Sequence, residues 1–196
     1  RRLVALTGAE DAFVVNNCAA AVLLALRTHC AGRDVLLSHG QMVEIGGSFR
    51  MPDVVLESGC RLVGLGCTNK TRLSDYERAW SDETAAVLRC HPSNFRIVGF
   101  TEEPSARDLA AWAHGRGAIL IDDVGHGCLV DTTGFGLPKE RTLREAVDRL
   151  KQQLGDAVIV LAGVQDGKVA LVAGVAGAAL GKVKAGDVLS EVARKI

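Results

Sequence analysis

The chain has 196 residues, 48% of them apolar but only 4% aromatic, with 22 glycines and equal numbers (23 each) of basic and acidic side chains. That length allows one large domain or one and a half, and the balanced charge supplies no broad pull toward nucleic acid or an anionic membrane, so any RNA contact needs a local basic patch. No apolar run is long enough to span a bilayer and no secretory leader is read. The six cysteines (Cys18, Cys30, Cys60, Cys67, Cys90, Cys128) form no CxxC pair and no zinc spacing, so they read as reduced thiols of a cytoplasmic protein rather than a disulfide framework. The chain opens Arg1-Arg2-Leu3 instead of with Met, which reads as a piece of something longer.

In chain order, Ala12-Phe13-Val14-Val15 reads as a short strand ended by Asn16-Asn17, and Cys18 to Thr28 as an Ala- and Leu-rich helix. Strand, polar turn and helix together can aim backbone N–H groups at an anion, although an ordinary Asn cap gives the same pattern. Arg33 to Ser38 is the next strand. It runs into His39-Gly40-Gln41 and a polar, Gly-rich stretch to Arg50, expected as an ordered functional loop before a short helix from Met51 or Pro52. Arg61 to Gly66 is a buried strand, and Ser74 with Glu77 predicts a capping box at the next helix. Ala85 to His91 is a strand, Pro92 to Phe100 a loop carrying Arg96, and Ser105 to His114 an amphipathic helix closed by Gly115 and Gly117.

The stretch that organises the rest is Gly117 to Asp131. Ala118 to Ile121 reads as a buried parallel strand, Asp122-Asp123 follow at its end, and Gly125-His126-Gly127 come next. In open α/β sheets the ligand crevice lies beyond the carboxyl ends of the strands, so an acid flanked by glycines there can meet a cofactor; a strand ending in an Asp cap is the other reading. Alternating strands and helices predict a mostly parallel, doubly wound sheet. There is no P-loop pattern and no HExxH.

Five segments, collinear and together covering about residues 1–148, resemble the bacterial selenocysteine synthase family, L-seryl-tRNA(Sec) selenium transferase: Asp11 to Leu24, Ser38 to Asp53, Thr68 to Glu77, Ser93 to Glu103, and Asp123 to Asp131 continuing to Pro138. The resemblance implies an α/β large-domain fragment of aminotransferase type (pyridoxal-phosphate fold type I), working on tRNA and selenophosphate in a homo-oligomer. It implies conversion of seryl-tRNA(Sec) to selenocysteinyl-tRNA(Sec), with pyridoxal 5'-phosphate as electron sink. Asp123 matches the acid facing the pyridine nitrogen, with Asp122 the less regular position. Asn16, Asn17 and the following helix start match the region near the cofactor phosphate. His39, Gln41 and Arg96 fall in segments lining the pocket, and Arg96 would suit an anionic substrate because a guanidinium binds oxyanions bidentately.

Several positions depart from the family pattern. Cys18 stands where a third Asn is usual, His39 where Arg is usual, and His126 where Ser is usual; Asp123 with His126 resembles the Asp-x-x-His of other enzymes of the fold type, in which the His touches the cofactor. The Ser-Gly-Asp-Lys motif whose lysine forms the Schiff base is absent from the chain. From about Thr142 the sequence instead resembles the C-terminal domain of alanyl-tRNA synthetase, a tRNA-contacting module. Its signature here is two β-rich runs joined by Asp166-Gly167, a strong hairpin signal, before a helix opening near Lys184. The expected division is therefore residues 1–141 and 142–196, with the hairpin capping the open edge of the sheet and Lys168 a substitute Schiff-base candidate. Two other readings stand beside the transferase: a non-catalytic tRNA-binding or scaffold fragment, and a fusion of two unrelated fragments.

Overall fold

The structure, a computed structural model, describes residues 2–9, 11–15, 17–125, 128–139, 142–151, 157–165 and 168–176. Helices α1 (Arg2–Thr7) and α2 (Cys18–Cys30) precede strand β1 (Asp34–Ser38). A 3-10 turn (His39–Gln41) leads to the short strands β2 (Glu44–Ile45) and β3 (Phe49–Arg50), and then to α3 (Met51–Glu57). Next come β4 (Arg61–Leu65), α4 (Leu73–Ala79), β5 (Thr84–Cys90), α5 (Ala106–His114) and β6 (Ile119–Asp123). A 3-10 turn (Thr132–Phe135), α6 (Leu143–Lys151), β7 (Ala157–Gln165) and β8 (Lys168–Ala176) follow.

Six strands form one sheet in the order β4-β1-β5-β6-β7-β8. The first five are parallel neighbours and β8 returns antiparallel to β7. Because side chains alternate across a strand, the apolar runs serve two cores at once. Val35, Leu37, Ala86, Leu88 and Ile121 face α2 and α3, whereas Leu36, Val87 and Leu120 face α4, α5 and α6. Each fully buried Leu, Ile or Val side chain contributes about 1.5–3 kcal/mol relative to leaving it in water. On the second face Trp112 packs against Tyr76 and, edge-on, Trp80, with ring centroids 5.9 and 5.5 Å apart.

Local chemistry explains the element ends. The Asn17 side chain accepts the Ala20 N–H at 2.8 Å and starts α2; Ser105 accepts the Asp108 N–H at 3.1 Å and starts α5. After α5 the chain turns through Gly117, whose φ of +74° suits glycine, and feeds straight into β6.

Four expectations need correction. Ala12–Val15 is not a strand of the sheet: Ala12 packs against the α4/α5/α6 core and Val15 against the α2/α3 core, so the apolar residues belong to a segment crossing from one face to the other. The stretch after His39 is ordered, as expected, but it is not a loop throughout: β2 and β3 pair antiparallel and Arg50 Nε bonds Glu44 at 2.7 Å. The cap of α4 is not Ser74 with Glu77; the helix begins two residues earlier than that box requires, and the Asp75 carboxylate accepts the Arg72 N–H at 2.7 Å. Cys67 is exposed rather than a core thiol, while the six cysteines are all free. The Asp166-Gly167 turn and the helix expected near Lys184 lie outside the described residues, although the strands flanking that turn do pair antiparallel. Among the described residues no helix is long and apolar enough to cross a membrane.

Candidate functional site at the carboxyl edge of the sheet

The pleat of β6 sends its two terminal carboxylates to opposite faces, and their surroundings differ. Asp122 lies on the α4/α5 face, where its Oδ1 accepts from Arg89 Nη1 at 2.8 Å; its side chain is 1% exposed and that of Arg89 18%. Arg89 Nε also lies 3.7 Å from Glu103 Oε1, the oxygen that accepts from Gln41 Nε2. Gln41 Oε1 in turn accepts the Cys90 N–H at 3.0 Å. This network ties β5, β6, the segment before α5 and the turn after β1 together. Burial works against the Arg89 cation, but the summed pull of Asp122 and Glu103 leaves its pKa above the ordinary value.

Asp123 faces the other way, toward the first turn of α2. Its Oδ1 accepts the Gly125 N–H at 3.1 Å and the Cys18 thiol at 3.5 Å, and its carbonyl accepts the His91 N–H at 2.9 Å. Gly125 has a φ of +76°, and a Cβ there would fall 2.6 Å from Ser93 Oγ, so only glycine lets the chain turn back with its N–H on the carboxylate. Burial raises the Asp123 pKa; the Gly125 and Cys18 donors oppose the rise and the Asp122 charge adds to it. Burial, reinforced by the Asp123 charge, holds the Cys18 thiol far above the usual thiol range. A buried carboxylate with two modest donors and no cation among the described residues is chemically suited to a cationic ligand group. The start of a thirteen-residue helix beside it is suited to an anion.

The structure thus brings together Asn17, Cys18 and Asp123, with Gln41 one strand away through Cys90, the residue level with Asp123 in the ladder. His39 is not brought in: its Nδ1 lies 3.0 Å from the Leu65 carbonyl and 3.1 Å from that of Gly66, at β4. β4 is three strand spacings, roughly 14 Å, from β6. Arg96 is exposed in a segment pinned elsewhere, by Asn94 Nδ2 to the Glu44 carbonyl at 3.0 Å and by Lys70 over the Phe100 ring at 3.3 Å. Asn16 and His126 lie outside the described residues. Lys168 stands opposite Gln165 on β8, whereas Asp123 is level with Val160. Lys168 is therefore displaced along the hairpin by five residues, roughly 16 Å.

Sequence reasoning missed Arg89 and Glu103. Arg89 had a readable signal, as the one charge inside the apolar run Thr84–Cys90. Such a charge in a buried strand requires a partner on the adjoining strand.

The sheet order and the placement of an acid at the end of β6 define the large-domain fold of the aspartate aminotransferase class. Solved structures agree: D-glucosaminate-6-phosphate ammonia-lyase matches with a TM-score of 0.61 at 19% identity, over 88% of this chain and 46% of that one. A Thermus thermophilus aspartate aminotransferase mutant matches with a TM-score of 0.57 at 12% identity, over 88% and 44%. A model of the L-seryl-tRNA selenium transferase family matches residues 1–184, and the chain belongs to that family. The L-seryl-tRNA(Sec) selenium transferase of Rhizobium meliloti (strain 1021) is 54% identical over 145 residues, which is 74% of this chain and 31% of the relative. That of Desulfotalea psychrophila is 54% identical over 142 residues, 72% and 30%. The chain therefore spans about a third of the length of these curated relatives.

Proposed function

We propose that this chain carries the ring-nitrogen and phosphate half of the pyridoxal 5'-phosphate site of an L-seryl-tRNA(Sec) selenium transferase, acting in the cytoplasm on seryl-tRNA(Sec) with selenophosphate as selenium donor and assembling as a homo-oligomer. The observation that supports it most is the buried Asp123 carboxylate set beside the α2 start. Both features fit the cofactor: an ionised carboxylate favours a protonated ring nitrogen, and the first-turn N–H groups beyond Asn17 favour a phosphate. The bound cofactor supplies the electron sink for losing the seryl hydroxyl and adding selenium.

In this reading Asp123 holds a proton on the ring nitrogen, Asn17 fixes the α2 terminus through Ala20, and Gly125 orients Asp123 through its backbone N–H. By the family resemblance Asn16 and His126 would belong to the cofactor shell and Arg96 would meet the anionic substrate. The covalent anchor is the open part. Lys70 lies over Phe100 and Lys139 pairs with Glu145 at 3.5 Å, neither at Asp123. Lys168 reaches the site only if the hairpin bends inward over the carboxyl edge.

The test is an absorption spectrum with added pyridoxal phosphate before and after borohydride, followed by peptide mapping. A band trapped on one lysine names the anchor, and an unchanged band in Lys168→Ala removes that residue from the role. Saturable binding without trapping leaves Asp123 and the phosphate site as the whole of the cofactor's hold. No binding defeats the reading.

A second reading is favoured by the displaced Lys168: a tRNA-binding or scaffold fragment that uses no cofactor, for which the tail from about Thr142 would supply the tRNA contact. Filter binding of tRNA by a chain that ignores pyridoxal phosphate would support it. Non-cooperative unfolding, with residues 1–141 and 142–196 melting separately, would instead support a fusion of two unrelated fragments.

A further inference from the structure

The Asp123 carboxylate meets groups from every element packed round it. α2 presents Cys18, β5 presents Cys90, β6 presents Asp122 on the opposite face, the next turn presents the Gly125 N–H, and the segment after β5 presents His91 through its backbone N–H. On β7 its register partner is the apolar Val160. Cys18 is the one side chain among the described residues that donates to this carboxylate, at 3.5 Å to Oδ1, and it does so from the first position of α2. The same residue therefore couples the helix start to the acid at the strand end.

We infer that Cys18 is a positioning residue of the cofactor site, its thiol fixing one oxygen of the Asp123 carboxylate and favouring the ionised form of that acid. The inference rests on the reading of the site given above. It stands on three placements: a donor on the first helical turn, a carboxylate at the strand end, and both partly or fully withdrawn from water. A thiol so close to a buried negative charge keeps its proton, because ionising it would set two anions against each other. It thus remains a donor over the whole range in which Asp123 titrates. A donor to the charged form lowers a carboxyl pKa, so the thiol partly offsets the upward push of burial.

The experiment is a pH titration of the Asp123 side-chain carbonyl carbon by NMR in the full chain, assigned with Asp123→Asn, for wild type, Cys18→Ala and Cys18→Ser. Cys18→Ala is expected to move the Asp123 midpoint up by about half a pH unit or more. Cys18→Ser restores a donor and is expected to return it to the wild-type value or below. A role for Cys18 in packing alone would leave the midpoint where it was, and equal midpoints in all three chains overturn the inference. So does a Cys18→Ser midpoint as high as that of Cys18→Ala. If Cys18→Ala does not fold, the serine variant decides alone, and a midpoint above wild type overturns the inference. Equilibrium dialysis of pyridoxine 5'-phosphate, which forms no bond with lysine, is run beside it. The expected result is affinity that is lost as the pH is lowered through the Asp123 midpoint, with the Cys18→Ala curve displaced to higher pH. Shifted midpoints with no binding by any chain would leave the thiol's hold on Asp123 standing and defeat the cofactor reading.

Discussion

Asp122 and Asp123 are neighbours in the chain and opposites in the fold. Asp122 is ion-paired through Oδ1 to a guanidinium that is itself shared with Glu103, so its charge is answered within the protein. Asp123 is equally withdrawn from water, yet among the described residues its side chain has only a backbone N–H and a thiol as donors. The difference separates a carboxylate that holds the sheet edge together from one that is held ready for something else. The strand pleat alone produces it, because one residue of register exchanges the two faces.

The largest effect that would test this contrast is on stability. Arg89→Met takes the guanidinium away from the buried Asp122 carboxylate and is expected to cost about 3–5 kcal/mol, read as a fall in the urea midpoint. Adding Asp122→Asn to it removes that carboxylate's charge and is expected to recover most of the loss. If the double variant is no better than the single one, Arg89 is held by Glu103 rather than by Asp122.

Asp123→Asn is expected to behave in the reverse way. A folded pKa raised above the unfolded value means that the acid contributes stability below its unfolded pKa and loses that contribution as pH rises through the folded pKa. At neutral pH the asparagine variant should therefore be at least as stable as wild type. The advantage should disappear as the pH is lowered through the folded pKa, which thermal unfolding at several pH values would show. The same variant should bind pyridoxine 5'-phosphate at least about tenfold more weakly, a loss of roughly 1.4 kcal/mol. A variant that is destabilised at neutral pH and still binds would erase the distinction between the two acids.

How much of this could be read from the sequence follows from what each signal depends on. The parallel strands were legible because Asp34–Ser38, Thr84–Cys90 and Ile119–Asp123 are short apolar runs bounded by turn residues. The acid at the end of β6 was legible because the carboxyl edge is where such a sheet binds ligands. The family resemblance puts His39 in the pocket, but its ring turns back to the β4 carbonyls, a choice made by tertiary packing. Ala12–Val15 has strand-like residues yet serves as a crossing between two cores, which no local pattern distinguishes from a ladder strand. The Arg89–Glu103–Gln41 network joins residues up to 62 positions apart, and only the fold brings them together.

A smaller effect addresses the anion side of the site. Asn17→Ala removes the side-chain acceptor of the Ala20 N–H and should cost about 1 kcal/mol of stability. It should also loosen the first turn of α2, where a phosphate would sit, and so weaken inorganic phosphate or pyridoxine 5'-phosphate by a few-fold without moving the Asp123 titration. Loss of stability with unchanged ligand affinity would mean that the helix start is only a cap.

The smallest effect expected is at His39, and its smallness is the point. The ring lies at the β4 carbonyls, three strands from Asp123. His39→Ala should therefore leave both the Asp123 titration and pyridoxine 5'-phosphate affinity within error of wild type. A site confined to α2, the end of β6 and the Gly125 turn accounts for that indifference. If His39→Ala instead weakened the phosphate ligand as much as Asn17→Ala does, the anion site would have to extend across β1 and β5, and the edge would act as one crevice rather than two separate ends.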